Sequence, residues 1–223
     1  MILRYLRQFA NVEKPDSFTT LRRLKRFALF RMLAQKLPRP VRILDVGGTQ
    51  VFWQTMQFHT EPGVHITILN QTPVKVTHQS FDSDTGDARD LSRFKDESFD
   101  IVFSNSVIEH VGSFEDQKRM ADEVRRVGRH YFIQTPNRYF PIEPHFVFPF
   151  FQFLPLTVRI RLVRRWRLGW HPRFTDDDEA REAVSSIRLL TLKEMKTLFP
   201  GARIYKERFW GLTKSFMVAG GWA

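Results

Sequence analysis

Four short apolar runs recur along the chain, and each ends in a polar or glycine-containing turn. They occupy residues 41–48, 64–70, 98–105 and 129–137, and they read VRILDVGG, VHITILN, SFDIVFSN and RHYFIQTPN. Apolar runs of this length, bounded by turns, are typical of strands that are buried on both faces. Strands that alternate with helical segments form parallel sheets covered by helices. The pattern therefore predicts an α/β fold with a mostly parallel sheet.

Local signals place helices and a hairpin around these strands. The segment 113–128 has the spacing of a capping box at Ser113 and Asp116, and 191–201 begins with the same spacing. Each segment therefore predicts a helix. The last two strand-like segments, ARIYKERFW and TKSFMVAGG, are separated by only two residues, which predicts a closing hairpin.

Composition limits the classes of protein that this chain can belong to. With 223 residues, 42% of them apolar, it can bury one sizeable core, so we expect a single domain over residues 1–223. The absence of cysteine excludes disulfides, thiolate metal sites and a cysteine nucleophile. The opening residues lack the continuous apolar stretch of a secretory signal, so we expect a cytoplasmic protein.

The net charge of +11 predicts attraction to phosphates, either of nucleic acid or of anionic lipid head groups. Two basic clusters carry much of this charge. They are LRRLKRFALFR at 21–31 and RIRLVRRWRLGWHPR at 159–173, and the second has six arginines with two interleaved tryptophans.

The residues that follow the strands are the candidates for a ligand site, because ligands bind outside the carboxyl ends of the strands in such sheets. After the first strand, Gly47 and Gly48 allow a tight turn and a close approach of the backbone to a ligand. Taken alone, this pair is equally compatible with a structural turn.

The order of the motifs resembles the class I S-adenosylmethionine-dependent methyltransferases. ILDVGG, an amide at the end of the second strand, TGDARDL at 85–91 and SFDIVFSNSVIEHV at 98–111 follow one another as they do in that family, over roughly residues 40–140. The resemblance implies a Rossmann-like, doubly wound, mostly parallel seven-stranded sheet with a C-terminal antiparallel hairpin and a helical insertion after strand five. The domain would then comprise a basic N-terminal helix (17–37), a cofactor-binding core (40–137), an aromatic and basic insertion or lid (138–190), and a closing helix and hairpin (191–223).

The resemblance also implies S-adenosylmethionine as the cofactor. Its implied contacts are Asp45, Gly47, Gly48 and Thr49 at the amino acid part, Asn70 and Gln71 at the ribose, Asp87 and Ala88 at the adenine, and Asn105 and Ser106 near the sulfonium. The sequence departs from the family pattern in two places. Thr49 and Val51 stand where the family continues with glycines, and Asn70 stands where it usually has an acid.

Three residues are candidates for activating a methyl acceptor: His110, Glu143 and His145. Acceptors that hold a proton need a base, and all three are predicted to lie at the carboxyl edge of the sheet. The alternatives are that His110 caps a helix and that Glu143 pairs with an arginine such as Arg138. Together with Glu109 these residues could converge on a metal, but their spacing is not diagnostic, and we expect no bound metal.

The acceptor class depends on the segments that flank the sheet. The stretch 140–156 is too short and too rich in proline to span a bilayer as a helix, which leaves a lid over the site. In the second basic cluster Leu156, Ile160, Val163 and Trp170 are predicted to share one side, as in an interfacial helix. In the first, Phe18, Leu21, Leu24 and Ala28 are predicted to lie opposite Arg22, Arg23, Lys25 and Arg26.

Three acceptor classes remain open on this basis. They are a lipid-like acceptor reached from the inner face of an anionic membrane, a nucleic acid, and a small soluble molecule beside a self-contained core. A nucleic acid is the less favoured partner, since the aromatic residues sit in aliphatic context. A methyltransferase-like fold that has lost catalysis and serves as a binding or scaffold protein is a further alternative.

Overall fold

The structure is a computed structural model that describes residues 18–222, with side chains from Leu21 onward. Its helices are α1 (Phe18–Ala34), α2 (Gln50–Thr55), α3 (Phe114–Val127), α4 (Leu156–Arg165), α5 (Asp177–Ser185) and α6 (Leu192–Leu198). Its strands are β1 (Val41–Val46), β2 (Val64–Asn70), β3 (Phe81–Thr85), β4 (Phe99–Asn105), β5 (Gly128–Pro136), β6 (Ile142–Glu143), β7 (Phe148–Pro149), β8 (Arg203–Phe209) and β9 (Leu212–Gly220). Short 3₁₀ turns cover Ile108–His110 and Phe151–Phe153.

Seven of these strands form one sheet in the order β3-β2-β1-β4-β5-β9-β8. Strands β1 to β5 are parallel, whereas β9 runs antiparallel to both of its neighbours. Strands β6 and β7 form a separate small ribbon in the segment that follows β5. The predicted Rossmann-like, doubly wound sheet with its C-terminal hairpin is therefore confirmed. The strand order reverses between β1 and β4, and this reversal opens a crevice at their carboxyl ends.

Strand β3 is the one sheet member that the apolar runs did not reveal. Its sequence is FDSDT, and only Phe81 of the five residues is buried. An edge strand has one side facing solvent, so it does not need a continuous apolar sequence. Patterns that detect doubly buried strands miss such an edge for this reason.

The core consists of two layers, one on each face of the sheet. On one face, Phe30 of α1 and Trp53 of α2 pack against Phe103 of β4, with ring centroids 4.8–5.8 Å apart. On the other face, α3 and α6 pack apolar side chains such as Met120 and Met195 against the sheet. Both predicted capping boxes are present, at the N-termini of α3 and α6.

The predicted orientation of α1 is wrong. Leu21 and Leu24 are 52% and 41% exposed, and the buried face of the helix carries Phe27, Phe30 and Leu33 instead. Burying the phenylalanines removes more apolar surface from water than burying the leucines would. The predicted position of Phe18 lies outside the described side chains.

Two arginines of α1 turn inward toward the last hairpin as a consequence. Arg26 forms a 3.0 Å ion pair with the buried Glu207, and Arg22 lies 3.8 Å from the same carboxylate. The basic residues that the sequence predicted to lie opposite the apolar side of this helix are therefore partly used in packing.

The insertion after β5 builds a small core of its own. Helix α4 buries Ile160 and Val163 against α5, with Leu156 partly buried beside them. Trp170 lies beyond the end of α4 and is largely exposed, so it does not share their side as predicted. The apolar face of α4 is covered by protein and is not free to face acyl chains. No helix within residues 18–222 combines the length and the apolar character needed to span a membrane.

Candidate active site

The loop after β1 is built around a buried carboxylate. Asp45 accepts a 2.6 Å hydrogen bond from the indole of Trp53 on α2 at Oδ2, whereas its Oδ1 has no hydrogen-bond partner. Burial raises the pKa of Asp45 to about 7, against the opposite effect of the Trp53 hydrogen bond. An unpartnered carboxylate oxygen in this position fits the cationic amino group of an amino acid ligand.

Glycine is required at both positions of this loop. A Cβ on Gly48 would lie 1.6 Å from Oδ2 of Asp45, and Gly47 has a φ of +76° with Val107 packed against it. The hydroxyl of Thr49 accepts from the backbone NH of Phe52 and so caps α2. Thr49 thus uses its side chain to start the helix where the family has another glycine.

The amide of Asn70 explains why the end of β2 departs from the family pattern. Its Nδ2 donates a 2.9 Å hydrogen bond to the carbonyl of Gly48 and so ties β2 to the glycine loop. A carboxylate could not donate this bond. Its Oδ1 makes no hydrogen bond to the described residues and remains an acceptor, while the neighbouring Gln71 is exposed.

The acid predicted to meet the adenine is engaged by a neighbour. Asp87 accepts hydrogen bonds from the side chain and backbone of Arg89 on both carboxylate oxygens. These bonds lower the pKa of Asp87. A carboxylate offers about four lone-pair sites, so a ligand amino group would have to displace an Arg89 contact. Ala88, beside it, is partly buried against the core.

The end of β4 is fastened to β5. Ser106 has a φ of +59°, and its hydroxyl donates a 2.8 Å hydrogen bond to Oε1 of the buried Gln134. Its backbone NH bonds to the carbonyl of the same residue at 2.9 Å. Asn105, the last residue of β4, is half-buried at the same edge. The turn thus holds Asn105 and Ser106 at the carboxyl edge where the sequence placed them.

The three predicted catalytic residues come together in one hydrogen-bonded chain. The carboxylate of Glu143 on β6 contacts Nδ1 of His145 at 2.6 Å through Oε1, and Oε2 accepts from the backbone NH groups of His145 and Phe146. Nε2 of His145 lies 3.1 Å from Nε2 of His110, in the 3₁₀ turn after β4. Glu143 therefore pairs with His145 rather than with Arg138. His110 caps no helix, because Ser113 caps α3.

A second buried acid lies beside this chain. The carboxylate of Glu109 accepts a 2.9 Å hydrogen bond from Thr135 at Oε2, and its Oε1 has no partner. Burial raises the pKa of Glu109 to about 7. Burial and the neighbouring His145 lower the pKa of His110 to about 4. Burial also acts to lower the pKa of His145, but the hydrogen bond and charge of Glu143, with Glu109, outweigh it and raise that pKa.

Three of these side chains could also surround a cation. Ligand atoms of Glu109, His110 and His145 all lie within 4.8 Å of one another. Two imidazoles and one carboxylate are a ligand set found around divalent transition metals. The same atoms can instead exchange a proton, and the expectation of a metal-free site remains a prediction.

The sequence did not reveal the residues that position the site side chains through hydrogen bonds. Trp53 fixes Asp45, and Gln134 and Thr135 fix Ser106 and Glu109. A signal existed for the last two, because they are adjacent polar residues inside the apolar strand YFIQTP. A buried polar side chain in a strand needs a partner, and the partner is often at a site.

Comparisons with known proteins match part of this chain to a described domain. Residues 44–131 match the family model described as a methyltransferase domain. Two uncharacterised proteins from strains of Mycobacterium tuberculosis are 34% identical over 98 residues, which is 44% of this chain and 31% of theirs. The chain thus spans about a third of the length of these curated relatives.

Solved structures share the fold at low sequence identity. A protein from Pyrococcus horikoshii OT3 has a TM-score of 0.51 at 16% identity, covering 98% of this chain and 96% of its own. The CurJ carbon methyltransferase has a TM-score of 0.54 at 15% identity, covering 92% and 55%. A SAM-dependent methyltransferase from Aquifex aeolicus has a TM-score of 0.50 at 9% identity, covering 97% and 96%.

The sheet order, the glycine loop and the family match together define a class I methyltransferase fold. The methyltransferase-domain match covers residues 44–131, which is less than half of the 223 residues, and the cofactor indicated by this match is S-adenosylmethionine.

Proposed function

We propose that the protein transfers a methyl group from S-adenosylmethionine to an acceptor that binds beside His110 and His145. The observation that carries this proposal is the hydrogen-bonded chain Glu143–His145–His110 at the sheet edge that also holds the glycine loop. The cofactor supplies a methyl group already activated on a sulfonium. The residues of the chain have to bind the two ligands, align them and receive a proton.

The cofactor contacts follow from the groups that the loop leaves unpaired. Asp45 offers its unpartnered oxygen to the amino group, and the backbone at Gly47 and Gly48 approaches the ligand without a Cβ in the way. Asn70 offers Oδ1 to a ribose hydroxyl while Nδ2 fixes the loop. We also assign Thr49, Gln71, Asp87, Ala88, Asn105 and Ser106 to this site, with Asp87 sharing its oxygens between Arg89 and the ligand.

Removal of the acceptor's proton is the task of the two histidines. Glu143 holds Nδ1 of His145, which orients the ring and leaves its Nε2 directed at Nε2 of His110. An acceptor that loses a proton on methylation would pass that proton to this pair of histidines. The negative charge of Glu143 then stabilises the imidazolium of His145.

An amphiphilic acceptor at an anionic membrane surface is the acceptor class that we propose. An aromatic rim lies around the insertion and the tip of the last hairpin, and its exposed members are Tyr139, Phe150, Phe153 and Trp210. Tyr139 stacks on Phe153, and Trp210, 86% exposed, stacks on Phe209. Exposed aromatic rings on a chain of net charge +11 suit the boundary between acyl chains and phosphates. The proposed location is accordingly the cytoplasm, at the inner face of the membrane.

Calorimetry with S-adenosylhomocysteine tests the cofactor part of the proposal. We expect saturable binding by the wild-type protein. Absence of heat at high ligand concentration would rule out the enzyme and leave a binding or scaffold role for the fold.

Flotation with anionic liposomes at moderate salt tests the acceptor part. We expect the wild-type protein to float, and Trp210→Ser combined with Phe153→Ser to reduce flotation. Met32→Ser, an exposed apolar residue of α1 outside the rim, should leave it unchanged. Equal flotation of the rim variant would contradict the membrane proposal. Binding to single-stranded RNA without flotation would favour a nucleic acid acceptor instead.

A further inference from the structure

A cavity of about 180 Å³ lies inside the insertion, behind the proposed base. Three arginines line it, Arg138, Arg159 and Arg188, together with Glu143 and apolar side chains such as Phe146. A water molecule occupies about 30 Å³ of liquid, so the cavity has room for a compact head group. The cavity lining thus combines charged, polar and apolar side chains.

Two side chains of this cavity each have a buried polar atom with no hydrogen-bond partner among the described residues. Nε of Arg159 is buried without a hydrogen bond, and so is Oε1 of Gln152. Arg159 is partly buried and Arg138 is exposed, and neither side chain forms a hydrogen bond or salt bridge with any residue between 18 and 222. Buried donors that lack a partner are costly, and in native proteins they commonly mark a site where another molecule completes the bonding.

The carboxylate in the wall forms no hydrogen bond or salt bridge with these arginines, although the charge of Glu143 acts on Arg159. Oε1 of Glu143 is bonded to His145, and Oε2 accepts from two backbone NH groups. Arg188 already donates hydrogen bonds to Glu194 and Gln117. Arg138 and Arg159 are therefore the arginines of the cavity wall whose guanidinium groups have no hydrogen-bond partner among the described residues. Guanidinium groups bind phosphates and carboxylates through paired hydrogen bonds.

We propose that this cavity binds the anionic group, a phosphate or a carboxylate, of a methyl acceptor whose remaining body is apolar. The inference rests on the proposed function, because it treats the cavity as part of the acceptor site. Glu143 forms part of the cavity wall and also holds His145, so a ligand anchored by Arg159 lies next to the proposed base. The backbone NH of Arg188 further ties the cavity to Glu109, at 2.8 Å from its carbonyl.

Calorimetry with hexyl phosphate tests this assignment on the whole chain. We expect hexyl phosphate to bind the wild-type protein and hexanol not to bind. Arg159→Gln and Arg138→Gln should each weaken hexyl phosphate binding about tenfold, which is the order expected for a lost charge-assisted contact. Arg161→Gln is the matched control, since Arg161 is an exposed arginine of the same helix that does not line the cavity.

The results distinguish anion binding in the cavity from anion binding elsewhere on the protein. Equal binding by wild type and Arg159→Gln, or an equal loss in Arg161→Gln, would overturn the assignment. Inorganic phosphate and vesicles containing phosphatidic acid identify the source of the anion. Binding to vesicles without binding of hexyl phosphate would place the anion site on the surface and also overturn the assignment.

Two further measurements guard against ambiguous results. Circular dichroism checks that each variant is folded, and Arg159→Lys, which keeps the charge, should recover part of the affinity if the fold tolerates it. S-adenosylhomocysteine binding is measured in parallel on every variant. If the wild-type protein does not bind S-adenosylhomocysteine, the proposed function is refuted. If it binds S-adenosylhomocysteine but not hexyl phosphate, only this inference is refuted.

Discussion

Replacing Asp45 with Asn removes an ionisable group that is buried in the glycine loop and keeps its shape. An Asn carbonyl can still accept from the indole of Trp53, so that hydrogen bond survives. The rise of the Asp45 pKa from 3.8 to about 7 corresponds to a cost of about 4 kcal/mol when the unfolded chain is ionised. The new amide NH₂ group lacks a hydrogen-bond partner, which costs about 1–3 kcal/mol and offsets part of the stability gained by removing the charge. We therefore expect Asp45→Asn to be about 1–3 kcal/mol more stable than the wild type at pH 8.

The sign of this effect depends on pH. A folded-state pKa above the unfolded value means that wild-type stability falls as pH rises from 3.8 to about 7, where the unfolded chain alone is ionised. The advantage of Asp45→Asn should therefore nearly vanish at pH 5 and be complete above pH 7. Urea unfolding followed by circular dichroism at pH 5 and pH 8 measures it. A gain that is equal at both pH values, or a loss of stability at pH 8, would refute the assignment of a costly buried carboxyl.

Affinity for the cofactor should fall in Asp45→Asn, whereas stability should rise. A cationic amino group stabilises ionised Asp45, so we expect Asp45→Asn to bind S-adenosylhomocysteine about tenfold more weakly. Wild-type binding at pH 6 should also release a proton, and calorimetry in two buffers of different ionisation enthalpy detects it. Unchanged affinity in Asp45→Asn would place the amino group elsewhere.

Three other predictions concern neighbouring parts of the site. Asn70→Asp should weaken S-adenosylhomocysteine binding about tenfold, because the bond to the Gly48 carbonyl is lost and two oxygens then face each other; tighter binding in calorimetry would contradict this role of Asn70. His145→Ala and Glu143→Gln should each lower kcat about 10²-fold once an acceptor is available, and cofactor affinity should stay intact. The control His65→Ala, at the distant end of β2, should leave kcat unchanged. A change in KM without a change in kcat would count against a role of His145 as a base. Treatment with a chelator should leave activity unchanged, and restoration of lost activity by a divalent ion would show that Glu109, His110 and His145 act as ligands.

The sequence predicted those parts of the fold that depend on local or strongly patterned information. The buried strands and the capping boxes at Ser113 and Thr191 need only neighbours along the chain, and both appear as expected. Strand β3 and the face of α1 could not be read in the same way. The first is a solvated edge, and the second is decided by how phenylalanines and Glu207 are arranged in three dimensions.

The candidate site, like the fold, has parts that the sequence predicts and parts that it does not. The residues after each strand were identifiable because the fold brings carboxyl ends to one edge. The contact between His110 and His145 joins residues 35 positions apart through an irregular insertion, and no spacing rule specifies it. The bond from Asn70 to Gly48 likewise depends on the register of β1 and β2, so the sequence alone showed a departure from the family without its compensation.

Three buried acids of this protein differ in a way that separates structure from function. Glu207 faces Arg26 and Arg22, so cations of the protein itself compensate its charge. Asp45 and Glu109 form no salt bridge with any residue of the described chain, and burial raises the pKa of each to about 7. Each also keeps one oxygen without a hydrogen bond, as Glu207 does at Oε1, so the ion pairs of Glu207 are the difference between them. An uncompensated buried carboxyl lowers stability, and such groups persist mainly where a ligand or a proton completes them. Asp45 near the end of β1 and Glu109 in the 3₁₀ turn after β4 lie at the carboxyl edge of the sheet, where we propose that Asp45 binds the cofactor and that Glu109 lies beside the acceptor.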